Sequence, residues 1–252
     1  MRILIVQTTR MGDVLQTSPL VRMVRRKYPD AHIAMLTRGM GRIIAERHPD
    51  LDDVLVYDEN DMFLDMRAED SDKFLRAYRA AEEIIQRLAE EGYDLVYNVT
   101  HSLASAMLLK LVDIPEAVGA HLSDEWDYIL RGRWTNYFFT SVFNRDYNDL
   151  NLCDITRNFA EDAPPCRELV FALKDDDRAF IDKLFEQHGV KADDFVCCLQ
   201  LGASERNKQW PPERYAELAR LLRDRYQAKI FLVGVKEEQP LGDVFLQHAP
   251  GV

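Results

Sequence analysis

Short unbroken apolar runs alternate along this chain with stretches whose apolar positions recur every three or four residues. "RILIVQT" (2–8), "AHIAMLT" (31–37) and "DVLVYD" (53–58) are too short for helices and lack a polar face, which predicts strands buried on both sides. Between them, Leu20, Met23, Val24 and Tyr28 share one helical face, and "GMGRIIAERHP" (39–49) predicts a helix ending before a proline-marked turn. Ser18-Pro19 reads as a cap and first helical residue, hence a break or restart inside the first helical segment. From Ser71 to Gly92 a 3.6-residue stripe runs through Phe74, Leu75, Tyr78, Ala81, Ile84, Ile85 and Leu88. "YDLVYNVT" (93–100), "LASAMLLKLV" (103–112) and "AVGAHL" (117–122) continue the alternation. An α/β fold follows, with a parallel sheet covered by helices.

Residues 122–165 read as irregular, with Trp126, Trp134, Tyr137, Phe138 and Phe139 among polar residues, and end at Pro164-Pro165. A domain boundary there divides the chain into 1–165 and 166–252. The second part repeats the pattern in brief: helix "DDDRAFIDKLFEQHG" (175–189), strand "DFVCCLQLG" (194–202), helix "PPERYAELARLLRDRY" (211–226) and strand "AKIFLVG" (228–234). Two or three strands do not complete a doubly wound sheet, so this unit is incomplete. Neither internal repeats nor low-complexity segments interrupt the pattern.

Composition supports two modest cores: 252 residues are 47% hydrophobic. A formal charge of −11 excludes a general nucleic-acid binder, which needs clustered cations to meet phosphates. The charge is uneven, with nine Lys/Arg against four Asp/Glu in residues 1–50 and five against fourteen in 51–100. A basic first fifth suits an anionic ligand or membrane surface, although ordinary surface scatter gives the same count. Cys153, Cys166, Cys197 and Cys198 have no metal-ligand or CxxC spacing and read as buried reduced thiols of a cytoplasmic protein. No apolar run reaches the length of a membrane span, so membrane contact would be peripheral.

The turn after the first strand, "QTTRMGD", lacks the G-x-G-x-x-G spacing of a dinucleotide site, and no cofactor is expected. It places Asp13 at the carboxyl edge of the sheet, where open α/β folds bind ligands. An acid in a helix's first turn also simply complements the helix dipole, so both readings stand. His101 follows a strand at the same edge and offers either a ligand contact or packing. In the second part, Gly202, Ala203 and Ser204 leave a strand, and Lys208 precedes a proline-started helix. Turn amides, a hydroxyl and an ammonium would converge there on an anion, unless the loop is an ordinary one with a surface lysine. Glu237 and Glu238 follow the next strand, where an acid can accept from ribose hydroxyls or merely start a helix. The acidic runs "YDEND" (57–61) and "DDD" (175–177) lack a fixed ligand geometry, and no metal is expected.

Taken together, "TTRMGDVLQTSPLVRMVRRKYPDAHIAMLT", "HPDLDDVLVYD", "DLNLCDI" and "LGASERNKQWPPERYAEL" resemble glycosyltransferase family 9, the ADP-heptose:lipopolysaccharide heptosyltransferases. The resemblance spans essentially the whole chain. It implies a GT-B architecture of two Rossmann-like domains, the first binding the acceptor and the second a nucleotide-sugar donor, ADP-heptose. It puts the catalytic base on Asp13, the donor phosphate contacts on Ser204 and Lys208, and the ribose acid on Glu238 or its neighbour Glu237; by their place after the strands, Gly202 and Ala203 join the donor side and Arg10, Gly12 and His101 the acceptor side. The implied reaction inverts the sugar and needs no metal. The implied partners are the donor and a phosphorylated lipid-linked saccharide on the cytoplasmic face of the inner membrane, with Arg10, Arg25, Arg26 and Lys27 as attracting charges; Arg25 to Lys27 also read as a solvated helix end. Family members continue past the point where this sequence ends, through a D-T-G-x-x-H segment, so the chain is expected to be a fragment with an incomplete donor domain.

Overall fold

Ile3 and Ile5 face one side of β1 (Arg2–Gln7), Leu4 and Val6 face the other, and all four are fully buried. Side chains alternate across a strand, so a run apolar at every position must be covered on both faces. The computed structural model describes residues 1–143 and 148–251, the side chains at 59–61, 63 and 141–143 excepted. It divides into two units, Met1–Leu173 and Lys174–Val252.

The first unit holds a six-stranded sheet of order β3-β2-β1-β4-β5-β6, comprising also β2 (His32–Thr37), β3 (Asp53–Val56), β4 (Leu95–Asn98), β5 (Glu116–Leu122) and β6 (Tyr128–Arg131). On one face, α1 (Met11–Lys27), α6 (Arg133–Phe143) and α7 (Leu152–Arg157) bring Leu20, Val24, Phe138 and Ile155 onto Ile3, Ile5, Ile33 and Tyr97. On the other, α4 (Ser71–Glu91) and α5 (Leu103–Val112) cover Leu4, Val6, Leu36 and Val96 with Ile84, Leu88, Leu108 and Leu109. Burying each such aliphatic side chain stabilises the fold by about 1.5–3 kcal/mol. Two further helices, α2 (Gly39–Ala45) and α3 (Glu59–Arg67), flank β3.

The parallel rule holds through β5 and fails at the edge, where β5 and β6 pair antiparallel from Gly119↔Arg131 to Leu122↔Tyr128. A short turn joins antiparallel neighbours, whereas a parallel one needs a crossover. The stretch 122–165 is therefore not irregular: it carries β6, α6 and α7, with Trp134, Tyr137 and Phe138 on the first core and Trp126 exposed. Nor does α1 break at Pro19, which lies buried inside the helix. Ser18 caps nothing there; its hydroxyl accepts from the Val170 N–H at 2.9 Å and its carbonyl meets His48 Nε2 at 3.0 Å. These contacts hold the segment beyond Pro164-Pro165 on the first unit, with the Ala172 N–H on the Arg47 carbonyl at 2.8 Å and Cys166 in the core. The stripe on α4 is buried only in its second half, since Phe74, Leu75 and Tyr78 are exposed.

The second unit contains α8 (Asp175–Gln187), β7 (Val196–Gln200), α9 (Pro212–Tyr226), β8 (Lys229–Val233) and α10 (Gln239–His248). β7 and β8 pair parallel, and Leu199, Leu201, Ala216, Ala219, Phe245 and Ala249 form a small core. The expectation of buried thiols holds for Cys166 alone; Cys153 and Cys197 are half-buried and Cys198 is exposed. Adjacent strand residues point to opposite faces, so Cys197 and Cys198 could not both face the core.

Candidate functional site

Two clusters sit at the carboxyl ends of the parallel strands, one in each unit. In the first, β1 ends at Gln7 and the chain crosses to α1 through Thr8, Thr9 and Arg10. Buried Thr8 is pinned by its N–H on Thr100 Oγ1 at 2.8 Å. Thr100 in turn donates its N–H to Asn98 Oδ1 at 3.1 Å, so the ends of β1 and β4 are tied side by side. Arg10 precedes the helix with extended backbone, and Asp13, in the first turn, folds back to accept from the Arg10 N–H at 3.2 Å and the Thr9 hydroxyl at 2.9 Å. Both bonds end on Oδ2, and among the described residues none donates to Oδ1. Asp13 thus serves the first turn of α1 as a local cap as well as an acid at its positive end. It leaves one oxygen of a half-exposed carboxylate available at the sheet edge, beside a helix start that favours negative charge.

Gly12 and Arg10 are exposed beside Asp13, and a Cβ on Gly12 would meet nothing within 4 Å. Glycine costs about 1 kcal/mol relative to alanine inside a helix. Nothing among the described residues requires that cost at Gly12. His101 follows Thr100 on the same edge, with its ring centroid 3.9 Å from that of Phe138 and 5.8 Å from that of Phe139. Among the described residues, neither ring nitrogen meets a partner with hydrogen-bond geometry. Burial pushes the imidazole down to about 4, with the nearby Thr100 backbone offsetting only part of it.

That shift has a stability consequence of definite sign. Below pH 6.5 the unfolded chain takes up the His101 proton before the folded one does, so stability falls as pH drops toward 4. The loss is on the order of 3 kcal/mol when complete. Burial lowers His48 and His121 in the same direction. Urea unfolding at pH 7 and pH 4.5 should show a clearly smaller acid loss in His101→Phe than in the wild type. Equal losses would mean that His101 titrates normally.

In the second unit, Glu238 accepts from the Val235 N–H at 3.2 Å and lies half-buried against the ends of both strands. A Cβ built on Gly202, after β7, or on Gly234, after β8, would overlap its carboxylate. Gly202 and Glu238 therefore form one cluster, while Glu237 is exposed beside it. A shallow cavity of about 160 Å³ opens here, lined by Leu201, Leu232, Gly234, Val235 and Glu238. The loop after Gly202 continues through half-buried Ala203, whose carbonyl accepts from Gln209 Nε2 at 3.3 Å, and exposed Ser204. Lys208 closes a 3-10 turn (Arg206–Lys208) and pairs with Glu205 at 2.6 Å. Both partners are about half exposed, and such a pair is worth well under about 1 kcal/mol. An anionic ligand could take the ammonium over at little cost.

Arg26 and Lys27 are exposed at the helix end, in keeping with the reading of a solvated end, while Arg25 is half-buried, and none of the three is close to Asp13. Arg25 binds the Ala31 carbonyl at 2.6 Å and Asp52 at 2.5 Å, Arg26 binds the Pro165 carbonyl, and Lys27 binds the Glu161 carbonyl at 3.1 Å. They fasten the far end of α1, about 20 Å from its first turn at 1.5 Å rise per residue. The acidic runs serve local structure: Asp58 accepts from the Gly39 N–H at 2.8 Å and Asp177 from the Lys174 N–H at 2.8 Å. The acids of "YDEND" at 59 and 61 lie outside the described side chains. Among the described residues no three His, Cys, Asp or Glu side chains form a metal-ligating group, and no helix is long and apolar enough to cross a membrane. Gln7, Thr9, Asn98, Thr100 and Gly234 are site residues that the motifs did not single out. Polar residues directly after apolar runs, in "IVQTT" and "VYNVT", carried that signal.

The profile of glycosyltransferase family 9 (heptosyltransferase) matches residues 81–250, a span that begins after Asp13. No curated protein matches by sequence. Among solved structures, a family 9 glycosyl transferase from Veillonella parvula superposes with a TM-score of 0.76 at 16% identity, covering 99% of this chain and 66% of that one. E. coli heptosyltransferase WaaC, solved with ADP-2-deoxy-2-fluoro heptose, gives 0.68 at 17% identity, covering 98% and 73%. E. coli ADP-heptose lps heptosyltransferase II gives 0.64 at 18%, covering 98% and 68%. The chain thus spans about two thirds of the length of these proteins, and at such identities the likeness establishes a shared GT-B fold. Together with the profile match over most of its length, this places the chain in glycosyltransferase family 9.

Proposed function

We propose that this chain carries the acceptor base and part of the donor site of an inverting, metal-independent glycosyltransferase that moves a heptose or related sugar from a nucleotide diphosphate, ADP-heptose, to a lipopolysaccharide-core or related acceptor. The observation that carries the reading is the half-satisfied carboxylate of Asp13, held by one oxygen at the ligand-binding edge of the sheet. Inversion needs a base to take the acceptor hydroxyl's proton as its oxygen attacks the anomeric carbon. Asp13 Oδ1 accepts that proton while the bond to the donor diphosphate breaks. Gly12 leaves room for the acceptor, with Arg10 beside it for a phosphate and His101 at the same edge.

On the donor side, Glu238 receives the ribose hydroxyls, and Gly202 and Gly234 let the nucleotide approach the strand ends. Ala203 and Ser204 line the turn. Lys208 exchanges Glu205 for the diphosphate and neutralises its charge as it leaves, a point-charge role suited to an ammonium. Glu237 is the alternative ribose acid, and its exposure makes it the weaker one. The same reading places the protein in the cytoplasm, in peripheral contact with the inner membrane through a phosphorylated lipid-linked acceptor, with no nucleic-acid partner and no cofactor.

Titration calorimetry with ADP, and UDP for comparison, tests the donor half. ADP should bind, and Glu238→Gln, which keeps the shape but loses charge-assisted bonds, should weaken it by about tenfold. No binding of either nucleotide at millimolar concentration would sink the donor assignment. A second reading, a module that holds a nucleotide sugar without transferring it, draws support from the Lys208–Glu205 pair, which leaves the ammonium engaged. Nucleotide binding without any nucleoside diphosphate release would favour it.

A further inference from the structure

Thr9 stands between Asp13 and a buried amide, and the hydrogen count around it is informative. Its hydroxyl oxygen lies 2.6 Å from Gln7 Oε1 and 2.9 Å from Asp13 Oδ2. The Gln7 amide cannot turn to relieve the competition. Its Nε2 donates to Thr17 Oγ1 at 3.1 Å, and the Thr17 hydroxyl is already spent on the Asp13 carbonyl at 2.8 Å. Gln7 Oε1 also faces the Thr9 N–H at 3.3 Å, and the Gln7 side chain is buried. One hydroxyl proton is therefore shared by two acceptors, a fixed amide oxygen and a carboxylate whose charge changes during the proposed reaction.

We propose that Thr9 is the positioning residue for Asp13, and that its hydroxyl is a rotor with two rest positions. The proposal rests on Asp13 being the base. While Asp13 is ionised, the Thr9 proton turns to Oδ2, a charge-assisted bond that, with the Arg10 N–H, orients the carboxylate so that Oδ1 faces the acceptor. During transfer the acceptor O–H bond breaks, its oxygen forms the new bond to the anomeric carbon and the proton bonds to Oδ1, while the donor diphosphate departs with the electron pair of its bond to the sugar. The neutral carboxyl is then the weaker acceptor, and the Thr9 proton turns to Gln7 Oε1. No heavy atom moves, and no buried group loses its partner in either state. A valine here keeps the shape but supplies no proton, leaving the Arg10 N–H alone to orient Asp13.

The test compares Thr9→Val and Thr9→Ser with the wild type and with Asp13→Asn, using two readouts. The first is nucleoside diphosphate release from ADP-heptose with a lipopolysaccharide-core acceptor. Thr9→Val should lower kcat about tenfold with KM for the donor unchanged, and Thr9→Ser should recover it to within about threefold. The second readout, independent of turnover, is the crystal structure of each variant. The Asp13 carboxylate should leave its position in Thr9→Val and keep it in Thr9→Ser. An unmoved Asp13 in Thr9→Val overturns the proposal, as does wild-type kcat in Thr9→Val alongside an inactive Asp13→Asn. Wild-type kcat in Asp13→Asn instead overturns the base assignment, and is read separately.

Discussion

Replacing Asp13 with asparagine is expected to lower turnover about a thousandfold, near the middle of the range for losing a general base, while nucleotide affinity stays unchanged. The substitution is informative because the two roles of Asp13 separate. The amide oxygen of asparagine can accept the same bonds from the Arg10 N–H and the Thr9 hydroxyl, so the first turn of α1 keeps its internal contacts. What disappears is the negative charge at the helix start, worth about 0.3–1 kcal/mol, and the capacity to hold a proton. A fall in melting temperature of a few degrees and a collapse of kcat therefore belong together. Were Asp13 only a cap, kcat would follow the small stability change instead. Turnover within about threefold of wild type, in a well-folded variant, would remove Asp13 from the chemistry.

The fold was legible where burial alone decided it. Strands β1, β2 and β4 are apolar at nearly every position because both faces are covered, and their shortness separates that pattern from a buried helix. It was illegible where tertiary contacts override local preference. Pro19 marks a helix start by its own chemistry, yet the contacts of Ser18 with Val170 and His48 hold the surrounding helix in place. Likewise, β6 gave no periodic signal because an edge strand with half-buried residues is under weak compositional constraint. At the site, single residues with distinctive chemistry, such as Asp13 and Glu238, could be found from their place after a strand. Their supports could not, since Thr9, Gln7 and Asn98 are ordinary polar residues whose roles exist only through hydrogen bonds that the folded turns bring about. The basic cluster at 25–27 suggested an attracting patch because charge is visible in sequence, while the backbone carbonyls that Arg25 and Lys27 reach are not.

The second large effect lies away from the titrating groups. Gly119, in β5, adopts φ +111°, a region that L side chains rarely enter, and a Cβ there would overlap the Asn98 carbonyl on the neighbouring strand. Gly119→Ala thus combines backbone strain with a collision against backbone, which cannot rotate aside. The expected loss is at least about 3 kcal/mol, read as a fall in urea-unfolding free energy. Gly189→Ala is the control that separates the two causes, for Gly189 has φ +60° and open space around its missing Cβ. It should lose only about 1 kcal/mol. The collision also reaches the site. Asn98 donates from Nδ2 to the Ala120 carbonyl at 2.6 Å and to Ser105 Oγ at 3.1 Å, while its Oδ1 holds Thr100, the residue that pins Thr8. Pushing Asn98 away from β5 therefore loosens the turn that carries Thr9 and Asp13, and turnover should fall in whatever fraction of Gly119→Ala remains folded. If Gly119→Ala cost no more than Gly189→Ala, the close approach of β4 and β5 at this point would be wrong, and with it the rigid edge on which Asp13 depends.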